Sequence, residues 1–178
     1  MTLGAHAVWK PSNQKVFIRK KYIINSDGMY VQYIIKNESE KILRAKFAVE
    51  INIANTSFSS ENYAYNSIEL VDNGEKVNIT GEKKAGELLD EGKLKNVGIA
   101  RISDIESGTS FVFEPNENCG FCYNPIIFMR QNISNGKIEP SDLTNVSTLF
   151  WDISLEPKME TEKSLNFTII QNSKKKKR

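Results

Sequence analysis

The sharpest chemical pattern in the chain is Cys119-Gly120-Phe121-Cys122, which holds both of its cysteines. Two thiolates at that spacing can form half of a zinc site or run a dithiol–disulfide cycle. Zinc needs four ligands, and the sequence offers neither a second cysteine pair nor a histidine cluster to complete the set. His6 is the single histidine, and it stands in a stretch that reads as a loose N-terminal arm. A thioredoxin-type cycle needs its first thiolate at a helix N-terminus within a βαβ unit, whereas this pair stands at a turn entering a strand. The expectation is two reduced thiols near a hairpin, with no metal and no cofactor. No serine, cysteine or carboxylate stands in a recognisable catalytic motif. Sequons such as Asn55-Thr56-Ser57 and Asn78-Ile79-Thr80 follow from an asparagine-rich composition.

Charge and composition narrow the classes. The net charge of +2 is misleading, because Lys174–Arg178 contributes five basic residues. Without them, 19 basic residues face 22 acidic ones, a body of net −3. A nucleic-acid-binding domain would carry its positive charge on a folded face interleaved with aromatics, not on a terminal run. No apolar run approaches the roughly 20 residues of a membrane helix. The opening MTLGAHAVWKPSNQ lacks the basic start and apolar core of an export signal. The expected compartment is the cytoplasm, with neither nucleic acid nor membrane as partner. At 178 residues and 39% apolar content the chain suits one globular domain.

The elements that must position any site are strands. In Leu43–Asn55, Leu43, Ala45, Phe47, Val49, Ile51 and Ile53 alternate with Arg44, Lys46, Ala48, Glu50, Asn52 and Ala54. Period two over that length describes a half-buried strand. Lys15–Ile24 and Met29–Asn37 flank Asn25-Ser26-Asp27-Gly28, a hairpin link. Met29, Val31, Tyr33 and Ile35 share a face, and the three segments are expected to form an antiparallel meander. Ser57–Asn66 reads as a loop. Ser67–Asp72 and Glu75–Thr80 flank Asn73-Gly74, a type I′ hairpin signal. Lys83–Lys95 is a short helix at best, weakened by Gly86 and Gly92. Further strands are expected over Val97–Glu106, Thr109–Glu114, Gly120–Arg130, Asn145–Leu155 and Lys163–Ile170. Val97, Ile99 and Arg101 are placed on one face, and Pro125 suggests an edge or a bulge. Without βαβ alternation the fold class is all-β, an antiparallel sandwich with at most one short helix. It comprises an arm at 1–14, the sandwich at 15–171 and a basic tail at 172–178.

Three stretches carry a resemblance. KFAVEIN (Lys46–Asn52) follows the paired strands of KKYIINSDGMYVQYIIKN. VGIARISDIESGTSFVFEP (Val97–Pro115) forms a strand–Asp–turn–strand unit. Asn135–Ile169 closes around a W-x-[IL]-x-L-x-P segment. Together, over roughly Lys15 to Ile170, they resemble the C-terminal β-sandwich region of glycoside hydrolase family 57, which contains α-amylases and 4-α-glucanotransferases. The resemblance implies a galactose-mutarotase-like supersandwich, packed as an accessory on a catalytic barrel held elsewhere. The family's glutamate nucleophile and aspartate acid belong to that barrel, which nothing in this chain matches. No catalytic residue is carried over.

Against that background the chain's own carboxylates and aromatics take on meaning. A retaining glycosidase holds two carboxyl groups about 5–5.5 Å apart, and no motif pairs any two of Glu50, Asp104, Glu114 and Asp152. Mutarotase-type acid–base chemistry would set a histidine beside a carboxylate, and His6 lies outside the matched region. Sugar binding asks for an aromatic face and planar polar groups. Trp151 with Asp152 beside it, Tyr63 with Tyr65 in a polar loop, and Glu50 with Asn52 on one strand face supply them. Trp151 has a competing role in the core, and the Glu50 face is commonly solvated. The expected function is a non-catalytic accessory module, with α-glucan and a family 57 barrel as partners. The alternatives are a free-standing interaction sandwich and, more remotely, a mutarotase-like enzyme.

Overall fold

Among the described residues, eight strands on one side and three on the other are the outcome of that alternating pattern. A computed structural model of the chain describes residues 1–54, 66–72, 75–80, 96–104 and 108–171. The strands are β1 (Thr2–Trp9), β2 (Gln14–Ile24), β3 (Gly28–Asn37), β4 (Leu43–Ala54), β5 (Asn66–Asp72) and β6 (Glu75–Thr80). They continue as β7 (Val97–Asp104), β8 (Thr109–Pro115), β9 (Gly120–Gln131), β10 (Ile138–Leu155) and β11 (Glu160–Gln171). The large sheet runs β1-β2-β3-β11-β8-β7-β5-β6, and the small one β4-β10-β9. Every strand pairing among the described residues is antiparallel. The chain is an all-β antiparallel sandwich. Among the described residues no helix is long and apolar enough to cross a membrane. The helix expected over Lys83–Lys95, the turn Asn73-Gly74, the basic tail, and the loop before Asn66 lie outside the described residues.

The core forms where the inner faces meet. Val31, Tyr33 and Ile35 of β3, Phe113 of β8 and Leu165 of β11 face Val49 and Ile53 of β4, Phe121 of β9, and Leu149 and Trp151 of β10. On β4 the expected alternation holds: Leu43, Val49 and Ile53 are buried, whereas Arg44, Lys46, Ala48, Glu50 and Asn52 are exposed. Pro125 sits on β9, an edge of the small sheet, the kind of strand in which a missing N–H is tolerated.

Three expectations are corrected. First, β4 does not extend the β2–β3 hairpin into a meander. The second neighbour of β3 is β11, and β4 crosses to the other sheet to pair with β10. The crossing is held by Asn37, which is fully buried. Its Nδ2 donates to the carbonyls of Lys41 (2.7 Å), Leu155 (3.0 Å) and Glu156 (3.1 Å). Its Oδ1 accepts from the Ser39 N–H (3.0 Å) and hydroxyl (2.7 Å). Second, the supposed N-terminal arm is β1, an edge strand paired without interruption from Thr2↔Lys21 to Trp9↔Gln14. Main-chain bonding fixes it although its side chains are mostly exposed. Third, Val97, Ala100 and Ile102 face the core, not Val97, Ile99 and Arg101. The partner strand opposes Asp72 to Val97 and Val71 to Ile99, leaving Gly98 as an extra residue. Such a bulge switches the phase of the alternation.

Two substitutions test this frame. Val49→Asp places an unpaired charge between the sheets and should unfold the domain, whereas Glu50→Gln should change stability by less than about 1 kcal/mol. The reverse outcome in urea denaturation would mean that the strand is out by one residue. Asn37→Ala strands several buried polar groups at about 1–3 kcal/mol each. The loss should exceed about 3 kcal/mol, and one below about 1 kcal/mol would remove Asn37 from its place at the crossing.

Candidate functional site

The register between β4 and β10 decides which candidate residues meet. Lys46 opposes Asp152, Ala48 opposes Phe150, Glu50 opposes Thr148 and Asn52 opposes Val146. Side chains alternate along a strand, so Glu50, Asn52 and Asp152 share the outer face of the small sheet. There Lys46 Nζ lies 3.0 Å from Asp152 Oδ1, with both groups exposed. Such a surface pair contributes about 0–1 kcal/mol. The same ammonium stands 5.1 Å from the centroid of the Phe150 ring. That ring lies across Gly120 of β9, where any Cβ would collide with it. The glycine is required by this close approach.

Trp151 is not part of this face. It is 3% exposed and its ring stacks on Phe47 at 6.0 Å. Phe47 in turn meets Tyr33 of the large sheet edge-on at 5.2 Å. The residue is a core aromatic spanning the sandwich and offers a sugar no stacking surface. Among the described side chains the aromatic of the outer face is Phe150, which the sequence reading missed. The signal was present: Leu149, Trp151, Ile153 and Leu155 alternate as one apolar set, which turns Phe150 and Asp152 outward. Tyr63 and Tyr65 lie outside the described residues.

Geometry separates the carboxylates. Asp152 opposes Lys46, four residues from Glu50 along β4, which sets the two carboxyl groups about 13 Å apart along the strand direction. Glycosidase pairs stand about 5–5.5 Å or about 6.5–9.5 Å apart. Glu114 is on the other sheet and accepts from Asn166 Nδ2 at 3.3 Å. His6 does meet a carboxylate: its Nδ1 lies 2.8 Å from Glu38 Oε2, with the ring 4.8 Å from that of Phe17. This exposed pair ties β1 to the segment after β3. Cys119 is buried and bridged to Val97 by two main-chain bonds of 2.8 and 3.1 Å. Burial pushes its thiol up to about 12. A thiol so firmly protonated is a poor nucleophile.

Sequence and structure comparisons agree with this architecture. The chain belongs to the family described as alpha-amylase/4-alpha-glucanotransferase, C-terminal, whose model matches residues 2–128. The module is thus of the kind found at the C-terminal end of such enzymes. No curated protein matches the chain by sequence. Among solved structures it is similar to 4-alpha-glucanotransferase from Thermococcus litoralis, with a TM-score of 0.62 and 16% identity over 94% of this chain. It spans 20% of that enzyme's length. It is also similar to a galactose mutarotase-like protein from Lactobacillus casei, with a TM-score of 0.59, 10% identity, and 95% of this chain against 69% of that one. A putative aldose 1-epimerase from Escherichia coli K12 gives 0.59 and 11%, covering 96% of this chain and 66% of that one. The fold is the galactose-mutarotase-like sandwich.

The Cys119 thiol generates a pH prediction. Its folded value lies above the ordinary 9.0, so the stability it contributes is complete below about pH 9 and is lost as pH rises towards 12. At about pH 10 the loss relative to about pH 8 should be near 1 kcal/mol, and Cys119→Ala should remove that increment. Urea denaturation of parent and variant at both values checks it. Equal slopes for the two proteins would contradict the assignment.

Proposed function

We propose that the chain is the non-catalytic accessory β-sandwich of an α-glucan-processing enzyme of the family 57 type, packing against a catalytic barrel and contacting glucan. The observation that carries the reading is family membership over residues 2–128, supported by the likeness of the fold to part of a glucanotransferase. The inequality of the sheets adds a physical reason. Three strands cannot cover the inner face of eight, and Leu3 on that face of β1 is 52% exposed. A docking partner would cover what the small sheet leaves open. Two cysteines outside any disulfide suit a reducing compartment, the cytoplasm.

Mixing the chain with a family 57 barrel lacking its C-terminal region should give a complex in sedimentation velocity, while the chain alone turns over no maltodextrin. Isothermal titration of the isolated chain with maltoheptaose should show no affinity tighter than about 0.1 mM, near −5.5 kcal/mol. Turnover abolished by mutating one carboxylate of this chain would overturn the reading, as would failure to bind the barrel.

A further inference from the structure

Three separate segments converge at one end of the sandwich around an open cavity of about 690 Å³. They are the β1–β2 turn, the link from β3 to β4, and the β10–β11 turn. Trp9, Ser12, Lys41, Arg44, Glu156 and Pro157 supply most of the wall. Of the small sheet's outer face only Arg44, at the start of β4, lines this place.

The segments are cross-tied by buried amides. Gln14 Nε2 reaches Ser39 Oγ (3.0 Å) and the carbonyls of Lys41 (3.0 Å) and Ile42 (3.2 Å), joining the first turn to the link. Asn37 joins the link to the third segment through the Leu155 and Glu156 carbonyls. Lys158 adds a tie, with Nζ 2.9 Å from the Glu38 carbonyl and 2.6 Å from Glu40 Oε1. Two of the turns hold non-glycine residues in the left-handed region, Asn13 at φ 53° and Lys158 at φ 66°. Such conformations persist only where surrounding contacts over-determine them. Trp9 closes β1 opposite Gln14 and packs partly against the core, which fixes its indole.

We propose that this cavity is a subsite for a neutral oligosaccharide, with Trp9 as the stacking face and Arg44 and Glu156 as the hydroxyl-binding groups. An indole presents a broad π-face with a polar edge. A guanidinium and a carboxylate are planar groups that bind vicinal hydroxyls in pairs. The wall carries both signs, Lys41 and Arg44 against Glu40 and Glu156, with Glu40 engaged by Lys158. With Lys158 counted, three cations stand against two anions, and a wall that mixes donors and acceptors in this way suits a ligand rich in hydroxyls. The volume falls in the range of small-molecule sites, about 300–1,000 Å³. The choice of an α-glucan as probe rests on the function proposed above, whereas the site itself rests on the cavity.

The chain has two tryptophans, so its two indole N–H resonances report on the cavity and the core separately. Titration of the intact ¹⁵N-labelled chain with maltohexaose should shift the Trp9 signal and leave that of Trp151 in place. Arg44→Ala and Glu156→Ala change exposed side chains and should each weaken binding several-fold without altering the thermal midpoint. Trp9→Phe should weaken it about tenfold, with the Trp151 signal confirming an intact core. A Trp9 resonance that does not respond, or one that responds equally in the Arg44 and Glu156 variants, overturns the inference. Maltohexaose binding that is lost instead on Lys46→Ala or Asp152→Ala also overturns it, yet leaves glucan contact standing. Loss of barrel binding alone would strike the accessory reading and not this site.

Discussion

The buried amide of Asn37 is the interaction on which the rest of the sandwich depends. A chain that leaves one sheet for the other must break its ladder, and the carbonyls freed at the break need partners if no water reaches them. Asn37 serves two such breaks at once. Lys41 lies where β3 gives way to β4, and Leu155 and Glu156 lie where β10 gives way to β11. One side chain therefore sets two crossings against each other and fixes how the small sheet sits on the large one. A third crossing, from β8 to β9, uses the same chemistry. Asn116 Oδ1 accepts from the Ser164 N–H at 2.9 Å, its own N–H reaches the Ser164 carbonyl at 3.0 Å, and Glu117 pairs with the buried Lys163 beside it.

Once those crossings are set, the inequality of the sheets shapes the surface. The centre of the large sheet is covered, and there Tyr33, Phe47 and Trp151 bridge the layers. Towards β1 and β2 the cover ends. Lys20 stands at that margin with its ammonium 4.6 Å from the Tyr22 ring and 5.1 Å from the Tyr33 ring. A cation over aromatic faces lets apolar surface end at water without a fully exposed ring. The inner face thus grades from core to cleft instead of stopping abruptly. The partner proposed above would pack at this margin, where Leu3 is exposed, while the module keeps its own core closed.

How much of this was legible in the sequence follows from the range of each interaction. The phase of β4 was readable because one face is apolar at every second residue for its whole length. The strand's partner was not, since pairing with β10 joins residues about a hundred positions apart and depends on the Asn37 corner. β1 was missed because TLGAHAVW alternates between small residues and offers little apolar contrast. Its place comes from main-chain bonds to β2, which leave no mark on composition. On β7 one bulge residue, Gly98, reversed the later faces, and a glycine within a strand is the only local hint of it.

The two tryptophans show the same lesson at the level of the site. Trp151 has an aspartate beside it and looks like a sugar platform, but period two turns that aspartate to the opposite face and sends the indole inward. Trp9 looks like part of a frayed end, but the Gln14 network anchors the turn after it. The flat outer face around Lys46, Phe150 and Asp152 has suitable groups, yet Lys46 and Asp152 are exposed and would have to be ordered by the ligand at a cost of about 0.5–1.5 kcal/mol for each such side chain. In the cavity Arg44 and Glu156 are exposed as well, but Trp9 and the turns around it are ordered on folding, by core contact and by amides buried at the sheet crossings. The corner that makes the sandwich possible is therefore also what preorganises the loops around Trp9.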